Sequence, residues 1–315
     1  METKQDAGSG SGFKRNSRPS SIPKIVKKAR LDEETRWQRI ADSRQLRSLV
    51  LQRVFPDRDV STHNDRAFSK LPGPLPSNLT RALLSVFKQQ LFWVCEKSDG
   101  LRYMLFIQKG DAAYLIDRSF EFYKLADSSL YLSLAVNGDT LLDGELVLET
   151  STDKSAIFFQ APSGKRQAYL IYDCVMLGGQ SVVTENFETR MGERGIAGAI
   201  KLYKEALHKR HEAKEESMLP FHLQSKYFRK HYHVAAALQC IRSEHGEYVY
   251  EEARGNNVTR SNKNDGLVFT PQDEGYIQQR TPIYKFKWAD KCSIDFLIRP
   301  PFPAADEVSS CYTFR

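Results

Sequence analysis

The sequence predicts an α+β protein in which twisted antiparallel sheets are flanked by helices. Between Leu91 and Tyr172, short apolar runs are separated at close intervals by Gly, Asp, Ser and Asn, which is typical of antiparallel strands. Helical patterns lie before and after this region and do not alternate with its strands. With 315 residues, of which 41% are hydrophobic and 11% aromatic, the chain is long enough to bury a large core.

The N-terminal residues 1–30 are rich in Gly, Ser, Lys and Arg, so we predict a disordered basic tail. Its basic clusters suit a nuclear import signal or an RNA-attracting arm, and a solvated tail without function is an equal alternative. A helix is predicted from Leu31 to about Phe55, because apolar positions recur at helical spacing after an acidic first turn. A second helix is predicted through Leu83 to Phe87, with Asn78 as its cap.

After the strand region, the sequence predicts a long helix from about Phe187 to Met218 and another over Val234 to Ile241. The segment between them, Phe221 to Tyr232, interleaves aromatic residues with the cations Lys226, Arg229 and Lys230. This interleaving suits contact with RNA, and an amphipathic surface strand is at least as consistent with it.

Charge and cysteine usage narrow the class of protein. The formal net charge of +7 suggests a polyanionic partner such as RNA or nucleotide phosphates. The five cysteines form no Cys-x-x-Cys pair, so neither a zinc site nor a disulfide scaffold is indicated, and a reducing compartment is expected. No run of about 18 apolar residues and no secretory signal pattern occurs, so we expect no membrane partner.

Lys97 lies in the most informative segment, Glu96 to Arg102, between two apolar runs. The pattern predicts a strand, a tight turn at Asp99 and Gly100, and a second strand that returns as a hairpin. A lysine with its stem in apolar surroundings loses its proton more easily, because desolvation disfavours the ammonium form, and a neutral lysine is a nucleophile. Considered alone, a Lys-x-Asp-Gly tetrapeptide in a hairpin is more often a solvated turn.

Four further segments each join an apolar strand to polar residues, in the order Leu141–Val147, Tyr169–Val175, Asp265–Pro271 and Tyr284–Trp288. Together with Lys97 they resemble the ordered motif set of the covalent nucleotidyltransferases, which include capping enzyme guanylyltransferases and polynucleotide ligases. The residues from Leu115 to Lys124, the Phe-Thr-Pro that ends at Pro271, and the run from Lys285 to Phe296 are similar to eukaryotic mRNA guanylyltransferases rather than DNA ligases. The resemblance covers roughly residues 65–298.

The resemblance implies a two-step reaction with GTP as the substrate. Lys97 would attack the α-phosphorus of GTP, release pyrophosphate and form a lysyl-GMP phosphoramidate, from which GMP passes to 5′-diphosphate RNA. Arg102 and Glu145 would hold the ribose hydroxyls, since a guanidinium donates and a carboxylate accepts hydrogen bonds. Tyr172 would stack under the guanine ring. A surface ion pair for the first two residues and a core position for the tyrosine are the structural alternatives.

Lys285 and Lys287 share one face of a strand because side chains alternate with period two, so both ammonium groups can reach the same phosphate. Without an anion between them, two like charges on one face would repel. By the resemblance, Asp265 helps to organise the nucleophile or a metal, and Mg²⁺ or Mn²⁺ prefers such oxygen ligands together with phosphates. Asp265 could instead be a turn residue. Asp143 and Asp173 are predicted to have turn or charge-buffering roles outside the site.

The resemblance also implies domain organisation and partners. The nucleotidyltransferase domain is predicted at 31–298, and residues 299–315 are too few for the five-stranded C-terminal OB-fold that such enzymes carry, so we expect this barrel to be absent. No His-Cys-x5-Arg phosphatase signature occurs, which implies a separate RNA triphosphatase as a partner. RNA polymerase II and a cap methyltransferase are further expected partners, and the nucleus is the expected location.

Two other functions remain open from the sequence. One is a non-catalytic adaptor that binds a guanine nucleotide or an RNA cap, although a pure binder has no need of a nucleophile such as Lys97. The other is an ATP-dependent RNA or DNA ligase, which shares the motifs. The choice between GTP and ATP separates the ligase from the guanylyltransferase.

Overall fold

The computed structural model describes residues 36–55, 71–152, 165–213, 219–254, 257–276 and 282–292. The predicted tails at 1–30 and 299–315, and both ends of the predicted 31–298 domain, lie outside these ranges. The strands are β1 (Trp37–Arg39), β2 (Ser77–Asn78), β3 (Phe92–Ser98), β4 (Leu101–Ile107), β5 (Ala113–Ile116), β6 (Phe122–Leu125), β7 (Thr140–Ser151), β8 (Arg166–Leu177), β9 (Gln180–Ser181), β10 (His222–Ser225), β11 (Arg229–Lys230), β12 (Ile241–Glu244), β13 (Glu247–Arg254), β14 (Asn257–Pro271) and β15 (Tyr284–Lys287). The α-helices are α1 (Arg44–Val54), α2 (Phe187–Met191), α3 (Ile196–Glu212) and α4 (Val234–Leu238). Short 3₁₀ helices cover Arg81–Lys88, Tyr131–Ala135, His231–His233 and Ala289–Lys291.

A large antiparallel sheet is built around β7. This strand pairs with β4 on one side and with β8 on the other. Beyond β4 the sheet continues through β5, β6 and β1, and beyond β8 the strand β10 is added in parallel. The predicted α+β class with twisted antiparallel sheets is confirmed.

A smaller sheet shares the long strand β14. The first half of β14 pairs with β13 and with the end of β7, whereas its second half pairs with β3 and β15. The strand β11 adds to the free side of β3, and β2 adds in parallel to β15. The order in the small sheet is therefore β11-β3-β14-β15-β2.

Both faces of the large sheet are buried, as the alternation along β4 shows. Tyr103, Leu105 and Ile107 belong to one apolar cluster, which includes residues of α3. Met104 and Phe106 belong to a second cluster, which includes residues of α1. Each such fully buried side chain contributes about 1.5–3 kcal/mol relative to an exposed one. A third cluster joins β3, β14 and β15 to the 3₁₀ helix at Arg81–Lys88.

The turn at Asp99 and Gly100 connects the two sheets, so the predicted hairpin is wrong. In the described residues β3 hydrogen-bonds to β11 and β14, whereas β4 hydrogen-bonds to β5 and β7. A Cβ atom on Gly100 would lie 2.6 Å from the Leu146 carbonyl oxygen, so the crossing requires glycine. The chain therefore passes from the small sheet to the large one just after Lys97.

The predicted helix over 31–55 is correct only in its second part. Trp37 lies in β1 and pairs with Leu125 of β6, and the helix begins at Arg44. Trp37 is 5% exposed. Burial of its side chain in the core and pairing with the edge of β6 therefore outweigh the helical spacing of the apolar residues. The second predicted helix is a 3₁₀ helix preceded by Thr80 and not by Asn78, which lies in β2.

The long helix predicted from Phe187 is divided into α2 and α3, and residues 214–218 lie outside the described part. Gly192 follows the end of α2 and Gly195 precedes α3, and glycine is a poor helix former. A Cβ atom on Gly195 would lie 1.9 Å from the Arg190 carbonyl oxygen, so the break requires glycine. The predicted helix from Val234 ends at Leu238 because Ile241 already pairs in β12. No helix within the described ranges is both long and apolar enough to cross a membrane.

Candidate active site

A cleft of about 530 Å³ lies between the two sheets. The small sheet contributes residues of β3, β14 and β15, and the large sheet contributes residues of β4, β7 and β8. All seven site residues predicted from the sequence line this cleft, namely Lys97, Arg102, Glu145, Tyr172, Asp265, Lys285 and Lys287. The fold therefore gathers polar side chains that are up to 190 positions apart in the chain into one concave site.

Lys97 and Lys287 meet at the carboxylate of Asp265. The Nζ atom of Lys97 lies 2.7 Å from Asp265 Oδ2, and that of Lys287 lies 3.5 Å from the same oxygen. Gly266 pairs with Lys97 on one side and with Lys287 on the other. At φ +139°, a Cβ atom on Gly266 would lie 2.0 Å from the Phe286 carbonyl oxygen. Glycine at this position therefore allows β14 and β15 to approach closely enough for both lysines to reach Asp265.

The cations of this corner perturb one another. Burial acts to raise the pKa of Asp265, but the hydrogen bond and charge of Lys97, together with Lys287, outweigh it and hold the pKa below its ordinary value. Burial, and then the charges of Lys97 and Lys287, lower the pKa of Lys285. Arg118, which also lines the cleft, lowers it further. The corner carries more positive charge than Asp265 balances, so its chemistry suits an anion.

Arg102 and Asp143 form a buried ion pair beneath the cleft. Two hydrogen bonds, from Nε to Oδ1 at 3.1 Å and from Nη2 to Oδ2 at 2.6 Å, join them. The hydroxyls of Tyr172 and Tyr276 donate to Asp143 at 2.6 and 2.7 Å, and Arg102 Nη1 donates to the Pro74 carbonyl at 3.0 Å. The turn role predicted for Asp143 is wrong, because the residue lies within β7 and is fully buried. Its function is to fix Arg102 and Tyr172.

Asp173 is also buried within a strand, so the turn role predicted for it is wrong as well. It accepts two hydrogen bonds from Arg190 at 2.7 and 3.1 Å. Arg190 is 1% exposed and also donates to the carbonyl oxygens of Glu185 and Glu274. A buried charge is stable only when it is paired, and this pair attaches α2 to β8. Asp173 also lines the cleft, so its predicted place outside the site is wrong.

Lys226 is a site residue that sequence reasoning missed. The sequence predicts RNA contact or a surface strand for its segment, yet its side chain is 3% exposed and lines the cleft. Its Nζ donates to Glu145 Oε2 at 2.9 Å and to the Glu96 carbonyl at 3.1 Å, and lies 5.7 Å from the centre of the Tyr172 ring. Burial acts to lower the pKa of Lys226, but the charges of Glu145 and Glu96 outweigh it and raise the pKa. Lys226 therefore stays charged within the cleft wall.

Arg118 is a second residue to which no role was assigned. It follows β5 and is exposed at the rim of the cleft. The sequence contained a signal for it, since Arg118 belongs to the Leu115–Lys124 stretch that carries part of the family resemblance.

The cleft suits a divalent cation that is held mainly by a nucleotide. No group of three or more His, Cys, Asp or Glu side chains converges in the described part of the chain. Mg²⁺ in nucleotide sites is usually bound by one or two carboxylates together with phosphate oxygens and water. Asp265 supplies such a carboxylate beside the lysines, so the residues present fit a metal that arrives with phosphates.

Comparison with known proteins adds independent information. The family model described as mRNA capping enzyme, catalytic domain, matches residues 40–289. The mRNA-capping enzyme subunit alpha of Schizosaccharomyces pombe is 27% identical over 251 residues, which cover 75% of this chain and 55% of that protein. The mRNA-capping enzyme of Caenorhabditis elegans is 25% identical over 247 residues, which cover 77% of this chain and 35% of that protein.

The chain thus spans about half of the first relative's length and about a third of the second's. Among solved structures, the ATP-dependent DNA ligase from bacteriophage T7 in complex with ATP matches with a TM-score of 0.42 and 12% identity. That match covers 68% of this chain and 68% of the ligase chain.

Proposed function

The chain belongs to the family of mRNA capping enzyme catalytic domains, and on this premise we propose that it is a guanylyltransferase. It transfers GMP from GTP, through a lysyl-GMP intermediate, to the diphosphate 5′ end of RNA. The observation that carries the proposal is the corner of the cleft where Lys97 and Lys287 meet at Asp265 and Lys285 lines the same cleft. A potential nucleophile in an anion-binding site is the arrangement that phosphoryl transfer requires.

In the first step, the Nζ atom of Lys97 attacks the α-phosphorus of GTP. The nitrogen–phosphorus bond forms, the bond from phosphorus to the bridging oxygen breaks, and its electron pair leaves with pyrophosphate. Attack needs a free lone pair on nitrogen, so the ammonium proton must first depart to solvent. Asp265, whose pKa is lowered, holds the Lys97 nitrogen in position at 2.7 Å. Lys285, Lys287 and Arg118 stabilise the negative charge of the transferring group.

Asp265 and the phosphate oxygens would hold Mg²⁺ or Mn²⁺. Held there, the cation would supply positive charge to neutralise the pyrophosphate leaving group.

The large-sheet side of the cleft suits the nucleoside. Asp143 occupies part of the hydrogen-bonding capacity of Arg102 and fixes its direction, which leaves other guanidinium N–H groups for a ribose hydroxyl. Glu145 receives Lys226 on Oε2, which leaves Oε1 as an acceptor for a ribose hydroxyl. The Tyr172 hydroxyl is fixed by Asp143, so the ring has a defined orientation against which a base can stack.

Lys226 supports guanine as the base. An ammonium group carries only donors, and Lys226 Nζ lies over the Tyr172 ring, 5.7 Å from its centre, within reach of a base bound at this ring. Guanine presents the acceptors O6 and N7 on one edge, whereas adenine replaces O6 with an amino donor. A buried and charged Lys226 therefore favours GTP over ATP.

The same proposal includes partners and a location. The Schizosaccharomyces pombe relative is named as the alpha subunit of a capping enzyme, which supports a division of labour with a separate RNA triphosphatase. We propose RNA polymerase II and a cap methyltransferase as further partners and the nucleus as the location. Affinity purification of the tagged protein from nuclear extract tests these partners.

Labelling with a nucleotide tests the proposed activity. The protein is incubated with GTP or ATP radiolabelled at the α-phosphate, with MgCl₂ or MnCl₂, and separated on a denaturing gel. We expect label from GTP alone, and we expect diphosphate-ended RNA, but not monophosphate-ended RNA, to remove it. Label from ATP alone would assign the protein to the ligases. Tight binding of GTP without any covalent label would instead favour the non-catalytic adaptor.

A further inference from the structure

A second hollow of about 610 Å³ adjoins the cleft. It lies between α3 and the segment 225–228, and Trp93 of β3 and Met191 at the end of α2 also line it. Lys226 and Phe228 line both the hollow and the cleft. The two sites therefore adjoin at a shared wall, and Lys97 lines the cleft on one side of it. We call the hollow the acceptor groove.

The acceptor groove combines aromatic surface with cations. Tyr227, which is 52% exposed, lies under the guanidinium of Arg229, whose Cζ is 4.3 Å from the centre of the ring. Trp93 is covered by Lys230, whose Nζ is 3.8 Å from the centre of its ring. Single-stranded nucleic acids are bound by aromatic side chains on which bases stack, set beside cations that follow the backbone.

The charges of the groove suit a polyanion. Lys201 and Lys204 are exposed on the face of α3 that lines it, and no ion pair joins either of them to a carboxylate within the described ranges. Lys230 contacts Glu188 at 2.5 Å, and Glu205 is an acidic residue of the lining. The unpaired lysines leave a positive surplus on the wall opposite Tyr227, at a distance from the Asp265 corner that binds the reacting phosphate.

We propose that the acceptor groove binds the first nucleotides of the single-stranded RNA acceptor, with a base on the exposed Tyr227 and phosphates on Lys201 and Lys204. The inference rests on the proposed function, because the diphosphate end of this RNA has to reach the lysyl-GMP at Lys97. The proposal also divides the Phe221–Tyr232 segment, for which the sequence left RNA contact and a surface strand as alternatives. Lys226 belongs to the nucleotide cleft, and Tyr227 and Arg229 belong to the RNA surface.

Direct binding tests the groove without reference to catalysis. The probe is a short unstructured RNA with a 5′ diphosphate and a fluorophore at its 3′ end, and its anisotropy gives the dissociation constant over a series of salt concentrations. Tyr227→Ala should weaken binding about 5- to 150-fold, the range for loss of one stacked base, whereas Tyr227→Phe keeps the ring and should bind nearly as the wild type. Lys201→Ala/Lys204→Ala should reduce the slope of log affinity against log salt by about 1.4, because each phosphate contact on a single strand contributes about 0.7.

Lys209→Ala is the matched control, because Lys209 is exposed on the same helix and does not line the groove. It should leave both affinity and slope unchanged. The control removes one charge and the double variant two. A loss in Lys209→Ala of half the loss in Lys201→Ala/Lys204→Ala or more would therefore show only a general charge effect and would overturn the proposal.

The two steps of the reaction separate this inference from the proposed function. All groove variants should form the GMP adduct from GTP at the wild-type rate, and transfer to a nucleoside diphosphate, which is too short to reach the groove, should also be unchanged. Transfer to a longer diphosphate RNA should show a raised KM in Tyr227→Ala and in Lys201→Ala/Lys204→Ala.

If adducts form normally and RNA binding and KM do not change in these variants, the groove proposal is wrong and the proposed function stands. The groove would then be a surface for another class of partner, such as a peptide. If no adduct forms but the variants still lose RNA binding relative to Lys209→Ala, the groove binds RNA and the proposed activity is wrong.

Discussion

Replacement of Asp143 by Asn tests how strongly the buried ion pair beneath the cleft supports the fold. Asp143 has no exposed side-chain surface, and the Arg102 side chain is 8% exposed. Asn keeps the shape of the residue but removes the charge, so the guanidinium remains buried without its counter-ion. Removal of one partner from a buried ion pair costs about 3–5 kcal/mol, because the remaining charge is left uncompensated.

Glu185→Gln is the matched control on the surface. It breaks the ion pair with Arg194, whose side chain is 54% exposed while that of Glu185 is 37% exposed. Such pairs contribute about 0–1 kcal/mol. For a domain of this size, 1 kcal/mol shifts Tm by about 2–4 °C, so Asp143→Asn should lower Tm by about 6–20 °C and Glu185→Gln by about 4 °C at most. Urea denaturation and thermal melting followed by circular dichroism measure both changes.

A double variant distinguishes the loss of the ion pair from the cost of leaving one charge buried without its partner. Arg102→Met/Asp143→Asn removes both charges, so it leaves no buried charge unpaired, and the Asn oxygen remains an acceptor for a tyrosine hydroxyl. It should be less destabilised than Asp143→Asn alone, because the cost of the single change comes from the stranded guanidinium. A loss of less than about 1 kcal/mol in Asp143→Asn would show that the buried pair does not have this role.

Lys285→Ala and Lys287→Ala should each slow adduct formation by about 10²-fold or more at saturating GTP, since each removes a cation that stabilises the transition state. Single-turnover labelling measures this, with the exposed Lys88→Ala as control, and near-normal rates would refute the argument. Burial raises the pKa of Glu96 despite nearby cations, and its two carboxylate oxygens have no hydrogen-bond partner within the described part of the chain. The pKa of Glu96 in the folded protein lies above its unfolded value of about 4.3. The stability that this carboxyl contributes is therefore present in full below about pH 4.3 and is lost as the pH rises through the folded pKa. Glu96→Gln should therefore be as stable as the wild type near pH 4.3 and more stable than the wild type at higher pH. Urea denaturation over a pH series measures this, and equal stability of the two proteins at pH 8 would contradict it.

The predictable part of the site is the part that local sequence encodes. Lys97 lies two residues before the turn signal at Asp99, and Lys285 and Lys287 are separated by one residue in a strand. Residue type and spacing therefore already indicate a nucleophile and a shared face. The motif order then identified the family. These features do not depend on which strands become neighbours.

The missed features depend on pairings that are remote in the sequence. Lys226 faces the cleft because β10 joins β8 in parallel, and no pattern near Lys226 announces that partner. Asp143 can be buried because β4 brings Arg102 to it, 41 positions away. The turn at Gly100 was predicted from its own residues, whereas the assignment of β3 and β4 to different sheets follows from β14, more than 150 positions further along the chain.

The covalent role of Lys97 is the central claim, and mapping of the labelled residue tests it most directly. Wild-type protein, Lys97→Ala and Lys97→Arg are incubated with GTP labelled at the α-phosphate and with MgCl₂, and the labelled peptide is identified by mass spectrometry. We expect one GMP on Lys97 of the wild type and none in either variant, because Ala has no amine and Arg stays protonated. Unchanged melting curves would show that both variants are folded. Label that persists in Lys97→Ala, or that maps to another residue of the wild type, would contradict the account.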